Sequence, residues 1–92
     1  FMRLDVYLKA SRLVLRRPLV KELCEAGKIL VNDLTTKPGK DVRIGDRITV
    51  IRTNARIEVE VAALPSTKQV AKADASGLYR VIGESSGDDE LL

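Results

Sequence analysis

Apolar residues recur every three to four positions up to Gly27 and every second position beyond it, so the chain reads as helices followed by strands. With residues placed 100° apart from Leu4, one side collects Leu4, Tyr7, Leu8, Ser11, Val14 and Leu15. Asp5, Lys9, Arg12 and Arg16 gather on another, which predicts a first helix through Leu15 with an apolar face and a basic stripe. Pro18 suits the first turn of a second helix, "PLVKELCEAG", ending at Gly27 with Leu19, Val20, Leu23 and Cys24 inward. "KILVN" then reads as a strand, "DLTTKPGKDV" as a connection, and "IGD" as a tight turn before the strand "RITVI". In "RIEVEVAAL", Ile57, Val59 and Val61 alternate with Glu58, Glu60 and Ala62, the mark of a strand with one wet face. "PSTKQVAKADASG" carries no firm period, and "LYRVIG" is a last strand before the acidic end "ESSGDDELL".

These elements define an α+β fold: a helical hairpin packed on a small, mostly antiparallel sheet. The expected division is residues 2–51 for the hairpin and first strands, 52–84 for a β extension on the same core, and 85–92 for a flexible acidic tail. At 92 residues this is one small domain with no room for a large enclosed active site. Phe1 precedes Met2 and is set aside as a remnant before the natural start.

Charge changes the picture. Residues 1–56 hold thirteen basic and six acidic side chains, whereas residues 57–92 hold three and seven, so a basic body carries an acidic end. Such asymmetry points to a polyanionic partner. The chain has one Phe, two Tyr and no Trp, which leaves little for base stacking and makes nucleic-acid contact a matter of phosphate and shape. One cysteine and no histidine give no disulfide and no zinc set, so no metal or cofactor is expected. Nothing resembles a signal peptide or a membrane span, and the expectation is a cytoplasmic protein without membrane contact.

The candidate contact residues lie early. Lys9, Arg12 and Arg16 have the spacing of one helical line; Arg3 precedes them and Arg17 closes them, with only Asp5 as an acid among residues 3–17. Guanidinium groups in a row form paired hydrogen bonds to phosphate oxygens. Arg16 and Arg17 also sit at a helix start, where cations oppose the helix dipole, a placement that favours binding over stability. The structural alternative pairs Arg16 with Glu22 or Asp5. Lys21 and Lys28 complete the set. Asn32 reads as a turn former, "KPGK" as a solvated loop, and Cys24 as a small core residue without a base to activate it. Glu58 and Glu60 share a strand face without an acid or metal partner, so no enzymatic activity is expected. A DNA-reading helix-turn-helix is a rival, although "PLVKELCEAG" offers few base-reading side chains. A protein-interaction module acting through the sheet and tail is another.

Taken together, Arg3-Leu4-Asp5, Ser11-Arg12, Arg16-Arg17, Ala26-Gly27, Val31-Asn32 and Gly45-Asp46 resemble the RNA-binding domain first described in small-subunit ribosomal protein four, the S-four domain, over residues 2–51. Val6 stands where relatives commonly carry lysine, and Asp33 follows Asn32 where glycine is frequent. The free-standing form with a β extension and acidic end resembles the ribosome-quality-control branch, the RqcP-type proteins, more than the related heat-shock branch with its longer basic extension. That resemblance implies binding to large-subunit rRNA and peptidyl-tRNA, with Arg3 and Arg17 as the leading contacts. It also implies support of alanine tailing by an RqcH-like factor, and action as a monomer. Recycling of dissociated large subunits, or a general accessory role on RNA, is the alternative.

Overall fold

A computed structural model of the chain describes residues 2–65 and 75–86. The order is β1 (Met2–Arg3), α1 (Leu4–Ala10), α2 (Arg17–Glu25), β2 (Ile29–Val31), β3 (Leu34–Thr35), β4 (Asp41–Val42), β5 (Arg47–Ile51), β6 (Ala55–Val61), a 3-10 turn (Ser76–Leu78) and β7 (Tyr79–Ser86). The two helices pack on an antiparallel sheet of order β3-β2-β5-β6-β7, and β1 pairs with β4 beside it. The α+β class, with its helical hairpin on an antiparallel sheet, is as expected.

One core joins the layers. Leu4, Tyr7 and Leu8 of α1 and Val20, Leu23 and Cys24 of α2 meet Ile29, Val31, Ile48, Val50, Val59 and Val61 of the sheet. The alternation in β6 lies across from β5 with Val59 opposite Ile48, and β7 follows it with a bulge beside Glu58 and Val59. Tyr7 Oη donates to the Leu78 carbonyl at 2.6 Å, which fastens α1 to the far end of the chain. That carbonyl also accepts the Ala62 and Ala63 N–H groups at 2.9 and 3.1 Å.

The second helix behaves as its sequence predicts. Pro18 lies in its first turn, and Gly27 at φ 71° closes it, with N–H bonds from Gly27 to Cys24 and from Lys28 to Leu23. This is the paired closure that a left-handed glycine permits. The first helix does not run to Leu15. It ends at Ala10, the Ser11 hydroxyl turns back to the Leu8 carbonyl, and Arg12 takes φ 63°, a left-handed position that usually goes to glycine. The chain then folds inward to bury Val14 and leaves Leu15 60% exposed rather than in the core.

The connection "DLTTKPGKDV" contains structure that no two-residue pattern can announce. β2 and β3 form a hairpin through Asn32 and Asp33, both with positive φ (53° and 70°), as a two-residue mirror-type turn requires. The loop that follows is tied to the start of α1: Leu4 N–H donates to the Lys40 carbonyl at 2.7 Å and Asp5 N–H to that of Pro38 at 3.0 Å. β7 extends through residues 85 and 86, which sequence had assigned to the tail. Residues 87–92 of that tail, and 66–74 of the loop before the last strand, lie outside the described residues.

Candidate nucleic-acid interface

Asp5 is the hinge of the site. It was expected on the wet, basic side of the first helix, but it is 4% exposed. Its Oδ2 accepts Arg3 Nη2 at 3.0 Å and Arg17 Nη2 at 3.1 Å, and its Oδ1 accepts the Val6 N–H at 2.8 Å. Both arginine side chains remain about half exposed, at 55% and 51%. A carboxylate without competing water therefore holds two half-exposed guanidinium groups from distant parts of the sequence on one oxygen, and each has further N–H donors beyond the one that Asp5 accepts. Arg16, whose structural alternative was a pair with Glu22 or Asp5, forms neither, and it is Arg17 that pairs with Asp5.

The other candidates distribute around this clamp. Lys9 stands four residues after Asp5 on α1, and Lys21 four residues after Arg17 on α2, each one turn along on the same side of its helix. Both are exposed, and no carboxylate among the described residues pairs with either. The proposed line through Lys9, Arg12 and Arg16 is not a line along one helix, because α1 stops between the first two. Arg12 occupies the turn, and Arg16 is the extended residue before α2, its carbonyl accepting the Leu19 and Val20 N–H groups. Lys28 lies beyond the other end of α2, a helix about 12 Å long at the usual rise, and so stands apart from Arg17 at its start.

The geometry suits phosphate recognition. Arg3 and Arg17 meet on a buried carboxylate, Lys9 and Lys21 stand exposed one turn along α1 and α2, and Arg16 is the exposed residue just before α2, so a fixed cation pair has further cations on the elements that carry it. Cys24 is buried on α2, and burial first, then the charges of Asp5 and Glu25, pushes its thiol above the ordinary value, which suits packing and not nucleophilic attack. No cluster of three metal-ligating side chains occurs among the described residues, and no helix there is long and apolar enough to cross a membrane. Sequence reasoning missed Asp5 as an organiser, because an acid beside arginines reads as a solvated neighbour.

The S4 domain profile matches residues 2–48. The RQC P-site tRNA stabilizing factor of Listeria monocytogenes is 43% identical over 89 residues, covering 96% of this chain and 94% of its own. Heat shock protein 15 of Escherichia coli is 33% identical over 84 residues, covering 91% of this chain but 62% of its own. Among solved structures, the trimeric heat shock protein 15 of Vibrio cholerae superposes with a TM-score of 0.78 at 30% identity, over 87% of this chain and 80% of that one. With the clamp at its centre and these likenesses on both sides of it, the chain belongs to the S4 domain family, in the group that includes the RQC P-site tRNA stabilizing factors and heat shock protein 15.

Proposed function

We propose that this protein is an RNA-binding factor of ribosome-associated quality control, without catalytic activity of its own. It holds tRNA on a large subunit that still carries peptidyl-tRNA, and so supports alanine tailing of the stalled chain by an RqcH-like partner in the cytoplasm. The observation that carries this reading is the Asp5 clamp, which presents Arg3 and Arg17 as a fixed pair of phosphate ligands. The name shared by several relatives, RQC P-site tRNA stabilizing factor, supports this reading. A-form RNA is recognised by shape and phosphate position, because its narrow major groove excludes side chains. If about five phosphates are neutralised, log affinity falls by about 0.9 per contact for each log unit of salt.

Co-sedimentation of the wild type, Arg3→Ala and Arg17→Ala with large subunits, with and without peptidyl-tRNA, tests the proposal once circular dichroism shows the variants folded. Binding that needs the tRNA and is lost in both variants is the expected result. Equal sedimentation of all three proteins would remove the clamp from the function. The likeness to heat shock protein 15 favours one second reading, recycling of dissociated subunits, for which binding would persist without peptidyl-tRNA. Action as a single copy is part of the proposal, and the trimeric relative makes mass in solution its check.

A further inference from the structure

Beside the clamp lies an open groove of about 660 Å³, lined by Val31, Leu34, Thr35, Lys37, Gly39 and Lys40 among others. It is continuous with the cationic surface: a Cβ placed on Gly39 would stand 3.6 Å from Arg3 Nη2. The same loop is fixed to the base of the clamp through the Pro38 and Lys40 carbonyls. Lys37 and Lys40 are exposed, and no carboxylate among the described residues pairs with them. Leu34 is 71% exposed, an apolar wall in contact with water beside two cations.

We propose that this groove receives an unpaired nucleotide of the same RNA whose phosphates Arg3 and Arg17 hold, an inference that rests on the RNA-binding reading above. Charge selects the occupant. A cation pair lining the groove fits the sugar-phosphate chain as it leaves the clamp, while the exposed Leu34 accepts a base or ribose face. An unpaired nucleotide can turn its base aside, whereas a fully paired strand keeps it stacked inside the helix. Sequence alone gave "KPGK" no role, because only the fold brings it next to Arg3.

The test is fluorescence titration of a labelled tRNA and of a fully paired RNA duplex, at several salt concentrations, with the wild type, Leu34→Ala, Lys37→Gln/Lys40→Gln and Arg17→Ala. Leu34 is exposed and supports little of the core, and melting curves check that every variant is folded. Leu34→Ala is expected to weaken tRNA binding by up to about tenfold with its salt slope unchanged, and to leave duplex binding as it was. The double lysine variant is expected to lower the salt slope by about 0.7 per lysine. Equal losses on tRNA and duplex would overturn the unpaired-nucleotide occupant. Groove variants that bind like the wild type while Arg17→Ala fails would overturn the inference and leave the clamp standing. A wild type that binds neither RNA would remove the underlying reading and the inference together.

Discussion

Replacing Asp5 by asparagine takes one negative charge and a shared acceptor from beneath Arg3 and Arg17 while changing the side-chain volume little. Asparagine can still accept the Val6 N–H, but its amide nitrogen then faces the guanidinium groups as a donor against donors. Both arginines are half exposed, so each lost pair is worth about 0.5 kcal/mol after solvent screening. The buried amide left without a partner adds about 1 kcal/mol, for a total near 2 kcal/mol. A domain of this size has roughly 5–14 kcal/mol in hand and stays folded. The effect on RNA runs through order. Two released arginines must be fixed again on binding, at about 0.5–1.5 kcal/mol each, which is roughly a 5-fold to 150-fold loss of affinity. Removing the Asp5 charge acts the other way, by relieving repulsion of a phosphate beyond the guanidinium groups. Asp5 is buried, so an effective dielectric of about 20 applies: across about 7 Å that relief is about 2.4 kcal/mol before salt screening and about 1 kcal/mol at physiological ionic strength, which the ordering loss exceeds above the bottom of its range. The assay is a titration of labelled tRNA at several salt concentrations, paired with thermal melting. Weaker binding with an unchanged salt slope is expected, because no phosphate contact disappears. A folded Asp5→Asn protein that binds as tightly as the wild type, or more tightly, would refute the pre-organisation argument.

Three further outcomes are expected. Asn32→Ala places an ordinary side chain at φ 53° and removes the bonds to Arg47 N–H and Asp46, so the denaturation midpoint should drop by the equivalent of about 1–2 kcal/mol, whereas no change would show that the turn is set by Asp33 alone. Tyr7→Phe should cost about 1 kcal/mol and no more, since the Leu78 carbonyl keeps its two amide donors; chemical denaturation measures it, and a much larger loss would contradict that sharing. Burial raises the Cys24 thiol and the Tyr7 phenol above their ordinary values, so the folded state keeps those protons longer than the unfolded one. Stability from both groups is therefore complete below their unfolded values and is lost as pH rises through those and toward the folded ones, and melting temperature should fall in alkali; native Cys24 should also alkylate far more slowly than denatured Cys24.

Sequence legibility followed element length and the chemistry of each ending. β5, β6 and α2 were readable because five or more residues carry a period and because Pro18 and Gly27 mark the helix boundaries. β1, β3 and β4 have two residues each, too few for any period. The end of α1 was hidden since an arginine, not a glycine, takes the left-handed position, and Ser11-Arg12 is compatible with a continuing helix. Arg3 and Arg17 were visible as cations, but their meeting depends on the return of the chain through Val14. No spacing in the sequence puts residue 5 between residues 3 and 17 in space. The turn role of Asn32 was legible from residue type, whereas its side-chain bridge to Asp46 and Arg47 needed the β2–β5 pairing.

The shared Leu78 carbonyl has a consequence for how the molecule opens. It closes the 3-10 turn just before the last strand, yet its donors come from α1 and from the residues just after β6. Fraying of the final strand therefore releases the phenol that steadies the helix carrying Asp5, and lifting that helix strips a bond from the strand. Amide hydrogen exchange should report one event: the α1 amides and those of Ala62 and Ala63 should exchange at a common rate close to that of global unfolding. A partner that grips the clamp would then slow exchange at the distant edge of the sheet without touching it.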